Sequence, residues 1–454
     1  MSRTNPVAPP PVDTRAIWAI AIPAMLTNVA TALIGLGDMW IVGRLGDAPT
    51  QGAVDIGARL FALLFVTMNF LKTGTTGLVA QDGMRSGVEA QAQTLARGLV
   101  VGLAIAATLI VLKPVLMPFL LAMLGAEGEV LAAARVYAEI RYWSAPGVMA
   151  NLALVGFLVG TRRVKAALTI EVGYNILNVA LGYWLAITQG MGIAGIGWSS
   201  FIAEYAKLAV VLAFVLATPA GRPLLAALKR RATVRWANLR PFLSVNRDLF
   251  LRTLILITSL AALTRLGAER GAVVLAANGI LFQLFTLQAL LLDGFENAAQ
   301  VLNGERKGAA DRVGFLRVTG AIMKRGFIAA TLLSIASLLV LAPVIWSFAA
   351  TEEVAATAFT FAPWLVFLPF AGVASFIFDG VFVGASWTRA LLLSMLGAAL
   401  LLALSLWLTW PLGNNGLWIS FALFLAARAA IQWAMLPRLA ARIDEDPALQ
   451  SGTA

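Results

Sequence analysis

The sequence predicts an all-α integral membrane protein with twelve transmembrane helices in two pseudo-symmetric six-helix lobes. Three observations lead there. Of 454 residues, 60% are apolar and 13% charged, about half the charge of a soluble domain. The mean hydropathy is +0.85. The apolar residues fall in runs of about 20 to 30, the length that spans a bilayer, and short motifs recur between the two halves of the chain.

The elements follow in order. Residues 1–14 are polar, carry Pro6, Pro9, Pro10 and Pro11, and read as a cytoplasmic tail without a small-residue cleavage site after it. Apolar segments then cover roughly 15–43, 53–81, 93–121, 131–160, 165–188 and 194–218, an N-lobe over 15–218. A basic cytoplasmic linker, 219–244, separates it from segments at roughly 245–266, 272–302, 320–349, 355–385, 389–411 and 416–440, a C-lobe over 245–440. Residues 441–454 form a second tail. Helices are expected throughout, because they satisfy their own backbone groups in lipid, and the alternating ten-residue strands of a barrel are absent.

The 34 Lys and Arg set the orientation. With the N-terminus in the cytoplasm, most fall in inner loops. Only Arg44, Arg59, Arg135, Arg141, Arg265 and Arg270 fall outside. The positive-inside rule therefore puts both termini of this multi-pass protein in the cytoplasm. The same rule accounts for the net charge of +11 without a nucleic-acid partner.

The repeat is explicit. Arg44-Leu45-Gly46 recurs as Arg265-Leu266-Gly267, and Leu60-Phe61 as Leu281-Phe282. Gly83-x-Arg85-x-Gly87 recurs as Gly304-x-Arg306-x-Gly308. Gly156-x-x-Val159-Gly160 recurs as Gly380-x-x-Val383-Gly384, and Trp198-x-Ser200-Phe201 as Trp418-x-Ser420-Phe421. A nearly constant spacing across half the chain points to duplication. Six spans return the chain to the same side, so the repeats run parallel, as in two-lobed transporters.

The chain has no Cys and no His, which excludes disulfides, thiolate nucleophiles, the usual zinc sites and histidine relays. No paired acidic motif supports an enzyme. Proton chemistry falls to carboxylates, and charges inside the spans are the candidates, since each costs about 2.5–3.5 kcal/mol at the bilayer centre. Asp38 stands out. It lies about 9 Å inside the outer end of span one, and Arg44 is about 600° further round the helix. Its neighbours Ile34, Gly35, Ile41 and Val42 offer no partner. Pro23 in the same span permits a bend.

Glu204 and Lys207 share a face of span six and are expected to neutralise each other, as are Asp248 and Arg252 at the start of span seven. Lys72, Asp293, Glu296, Asp379 and Arg428 have no adequate local partner and form a possible charge network with Lys207. The repeat aligns Lys72 with Asp293. A lysine so deep is expected within about 4 Å of a carboxylate, with Glu204 or Asp38 its owner.

The run Gly35-Leu36-Gly37-Asp38-Met39-Trp40-Ile41-Val42-Gly43-Arg44-Leu45-Gly46, with Pro23 before it, resembles the first helix of the multidrug and toxic compound extrusion (MATE) transporters. Lys72-Thr73-Gly74-Thr75-Thr76-Gly77-Leu78-Val79-Ala80-Gln81 resembles the second helix of their DNA-damage-inducible F (DinF) branch. Ala150-Asn151-Leu152, Asn175-Ile176-Leu177-Asn178, Ala203-Glu204-Tyr205, Arg252-Thr253 and Leu292-Asp293-Gly294 resemble helices four to eight. The resemblance implies export of hydrophobic, often cationic organic compounds in exchange for entering cations, by a protein with no cofactor. It implies Asp38 and Asn178 as the N-lobe cation site, with Asn151, Asn175 and Glu204 as polar support, and Asp379 as a tenth-helix acid. Gly182 stands where the family often has an aspartate, which favours a single-carboxylate proton site over a sodium cage. A sodium-coupled exporter and a lipid-linked precursor flippase are the alternatives. A monomer in the bilayer is the expected state.

Overall fold

The computed structural model describes residues 14–45, 48–349 and 351–444, and their side chains except for 31–51 and Val66. Helices are the only regular structure among them, as lipid requires. In chain order they are α1 (Thr14–Leu45), α2 (Ala48–Phe65), α3 (Phe70–Arg85), α4 (Gly87–Met123), α5 (Gly128–Arg141), α6 (Ala145–Gly160), α7 (Val164–Tyr183), α8 (Gly192–Ala217), α9 (Leu224–Lys229), α10 (Trp236–Ala268), α11 (Ala272–Gly308), α12 (Arg312–Phe348), α13 (Glu352–Gly384), α14 (Thr388–Thr409) and α15 (Asn414–Ala441). Among the described residues eleven helical runs are long and apolar enough to cross a membrane, and α1 adds a shorter apolar stretch over Thr14–Ala30.

Two spans expected as single helices are broken. A 3₁₀ turn over Val66–Asn69 separates α2 from α3, where the Thr67 hydroxyl donates to its own helix at Leu63 O, 2.6 Å away, a back-bond that bends helices. Another over Tyr142–Ser144 separates α5 from α6, because Pro146 occupies the first turn of α6 and suits a helix start but not an interior. Span five ends in a π turn at Trp184–Thr188. Pro23, by contrast, lies within continuous α1.

By contact the chain separates into two units, Leu26–Asn246 and Met1–Met25 with Arg247–Ala454. The start of α1 thus groups with the later repeat, where Trp18 meets Phe295 edge-on at 5.4 Å. In the first unit α3 and α4 pack on α6, α5 on α2 and α8, and α7 on α8, around Phe61, Leu121, Tyr137, Met149 and Ile196. In the other, α12 and α11 pack on α13 and α14 on α15, around Leu281, Leu368, Trp418 and Phe424.

The duplication is visible in the backbone. Arg162 and Ser386, two residues beyond the ends of α6 and α13, both have positive φ (60° and 58°), as do Gly192, the first residue of α8, and Gly413, just before α15 (55° and 64°). Such φ is uncommon outside glycine, so its recurrence marks equivalent turns. A Cβ at Gly156 would strike the Lys72 carbonyl, and one at Gly160 the Thr76 carbonyl. At Gly380 and Gly384 it would strike the carbonyls of Glu296 and Gln300. Glycine lets each helix pair touch backbone to backbone. The packing counterpart of Lys72 is therefore Glu296, one turn beyond the Asp293 that sequence alignment selects.

Candidate functional site

In the unit Leu26–Asn246, polar side chains converge on α6, α7 and α8. Helical spacing puts Glu171, Tyr174, Asn175 and Asn178 on one face of α7, and Ser200, Glu204 and Lys207 on one face of α8. The Asn151 amide of α6 donates to Glu204 Oε1 at 2.6 Å and to the Glu204 backbone oxygen at 3.1 Å. Both residues are buried, at 2% and 7% exposure. Tyr174 also interacts with the Glu204 carboxylate. Gly147 leaves room for it, since a Cβ there would come within 3.2 Å of Glu204 Cγ.

Lys207 forms its ion pair with Glu171 and reaches Glu204 only through a longer-range electrostatic interaction. Its ammonium lies 2.8 Å from Glu171 Oε2 and 4.6 Å from the Tyr174 ring centre. Residues 204 and 207 share a face, but Lys207 reaches across to α7, where Glu171 is equally buried and has no base of its own helix within a turn. Glu204 makes no ion pair among the described residues and is held by the Asn151 amide. Asn175 and Asn178 are buried beside this network. Neither polar atom of the Asn175 amide has a hydrogen-bond partner, nor do Asn178 Oδ1, Asn151 Oδ1 and Ser200 Oγ. Each such group costs about 1–3 kcal/mol, so a polar ligand gains by entering here. The Asp38 side chain lies outside the described residues.

The other unit carries a different cluster. Arg252 of α10 and Arg428 of α15 both donate to Asp379 Oδ2 of α13, and Gln432 donates to Oδ1 at 2.6 Å. Asp379 and Arg428 are 1% and 2% exposed. This corrects the expected Asp248–Arg252 pair. Asp248 Oδ1 instead accepts from neighbouring Arg247 at 2.7 Å, because Arg252 points inward, where a desolvated carboxylate attracts it more strongly. Glu296 on α11 lies within electrostatic reach of Asp293, Asp379, Arg252 and Arg428. Lys72 and Asp293 are half-buried on α3 and α11.

Sequence reasoning brought Asn151 and Glu204 forward without joining them, and missed Glu171, Tyr174 and Gln432. The signals were present. Glu171 precedes Asn175 by four residues and Asn178 by seven, and Gln432 follows Arg428 by four, each placing polar groups on one helical face.

A duplicated bundle of membrane-crossing helices with a polar cluster buried in each unit defines a membrane transporter rather than an enzyme. The chain belongs to the MatE family, whose model matches residues 23–184 and 249–408. It is 35% identical to DNA damage-inducible protein F of Escherichia coli strain K12 over 416 residues, 91% of this chain and 90% of that protein. It is 23% identical to a probable multidrug resistance protein NorM of Chromobacterium violaceum, covering 91% of each. Its fold matches a solved MOP superfamily transporter from Pyrococcus furiosus with a TM-score of 0.84 at 18% identity, over 94% of this chain and 96% of that one.

Proposed function

We propose that this transporter exports hydrophobic, often cationic organic compounds in exchange for protons, through carboxylates of the unit Leu26–Asn246. It would work as a monomer in a bacterial cytoplasmic membrane with both termini inside. The observation that carries the reading is the buried Glu204, held by the Asn151 amide at 2.6 Å without an ion pair among the described residues. The Asn175 amide and Asn178 Oδ1 add polar atoms without a hydrogen-bond partner on α7. The multidrug-resistance name of one relative supports the substrate class.

A carboxylate in such a setting attracts a cationic substrate while charged and releases it when neutral. Asp38, the acid of α1, is assigned the proton that arrives from outside. Protonation removes the Coulomb attraction, and a ligand shifts a two-state equilibrium only by its differential affinity for the two states. A hundredfold difference corresponds to about 2.7 kcal/mol, enough for exchange without ATP.

The sign follows. Substrate affinity falls as pH drops through the titration of Asp38, and Asp38→Asn flattens the dependence. Asp38→Asn also abolishes export from proteoliposomes under an imposed proton gradient while the purified protein stays monodisperse. Export driven at the parental rate in Asp38→Asn, or driven by a sodium gradient alone, would refute the proton assignment.

A further inference from the structure

We propose that the connection between α8 and α10 is a binding site for anionic phospholipid, built as a rigid collar on the membrane face. α8 ends at Ala217 and α10 begins at Trp236, and both are long and apolar enough to cross a membrane. The 18 residues between them are too few and too polar to cross it again, so they lie along one surface. That surface is the one carrying the α3–α4 turn, because Arg230 Nη1 lies 3.6 Å from Glu89 Oε2 near the start of α4.

The collar is ordered from within. α9 and the 3₁₀ turn after it pack on α4. Leu224 and Ala227 are buried, and buried Thr233 donates to Ala227 O at 2.5 Å. Asn238 closes the next turn by donating to Ala232 O at 2.7 Å. These bonds fix which residues face outward.

The outward set has two chemistries. Arg222, Lys229, Arg230, Arg231, Arg235 and Arg240 are all exposed, and no acid lies between Thr218 and Asn246. Glu89, the acid facing Arg230, is itself 67% exposed in its side chain, and a contact that open is worth little. Among these bases stand Leu225 and Trp236, 57% and 68% exposed. Exposed apolar residues cost nothing beside a lipid surface, and tryptophan favours the headgroup level. Cations flanking an exposed apolar tip match a phosphate above acyl chains, and a free anion would not need Leu225 or Trp236. The occupant is therefore an anionic phospholipid such as phosphatidylglycerol. This does not depend on how transport is coupled.

The full-length transporter in detergent, titrated with phosphatidylglycerol or phosphatidylcholine of the same chains, tests the site through its melting temperature, which rises with a bound ligand. Phosphatidylglycerol should raise it and phosphatidylcholine should not. The triple variant R230Q/R231Q/R235Q should weaken the phosphatidylglycerol response at least about tenfold, given that each base near an anionic surface contributes a several-fold gain. R230K/R231K/R235K should retain it. An unchanged response in the Gln triple, an equal response to phosphatidylcholine, or the same rise with inorganic phosphate would overturn the proposal. If the Gln triple does not fold, brominated lipids decide the matter in the parent protein against Trp236→Phe. Brominated phosphatidylglycerol should quench Trp236 more than brominated phosphatidylcholine at equal mole fraction, and equal quenching counts against the site.

Discussion

The Lys207 ammonium lies 2.8 Å from the Glu171 carboxylate, across the interface between α7 and α8, and not against Glu204 one turn away on its own helix. Both partners are nearly buried, with side chains 10% and 12% exposed. Removing one charge from such a pair leaves the other unpaired and costs about 3–5 kcal/mol, whereas replacing both by apolar groups is close to neutral. Lys207→Met should therefore destabilise the protein strongly, and Lys207→Met with Glu171→Leu should recover most of the loss. Thermal unfolding of the four members of the cycle measures this. Additive losses would show that the pair is not coupled.

The Asn151 amide reads the charge on Glu204. A hydrogen bond to an ionised group is worth about 1.5–3 kcal/mol and one between neutral groups about 0.5–1.5. Asn151→Leu should cost the larger amount in the parent and the smaller in a Glu204→Gln background. Equal costs in the two backgrounds would mean that Glu204 is already neutral where the measurement is made.

Asp379 serves two guanidinium groups at once. Asp379→Leu strands both Arg252 and Arg428, while Arg428→Leu leaves Arg252 with its partner. The Asp379 variant should be the less stable by at least about 3 kcal/mol, read as a lower melting temperature and a smaller monodisperse fraction. The opposite order would mean that the arginines find other acids when Asp379 is lost.

Backbone contact at the repeated glycines makes them intolerant of bulk. Gly156→Val and Gly380→Val drive methyl groups into the Lys72 and Glu296 carbonyls, and overpacking costs about 1–3 kcal/mol or more. Gly173→Ala on α7 meets nothing within 4 Å and should be neutral or stabilising by about 0.5–1 kcal/mol. Purification yield and melting temperature of the three variants compare them directly.

Composition and apolar run length alone determined that this chain is a bundle of membrane-crossing helices. Lipid offers no hydrogen bonds, so about 20 apolar residues have only one structure open to them. The duplication was equally legible, since Gly156, Gly160, Gly380 and Gly384 repeat in sequence because they repeat in packing. Pairing was not legible. A sequence shows that Glu204 and Lys207, or Asp248 and Arg252, share a helical face, which permits a contact without choosing it. Tertiary structure chose Glu171 for Lys207 and Asp379 for Arg252, because a desolvated charge binds the buried opposite charge that neighbouring helices bring within reach. It also set the partner of Gly380 at Glu296, one turn beyond the aligned Asp293, since the sliding of one helix along another is fixed by side-chain packing that no single-chain pattern records.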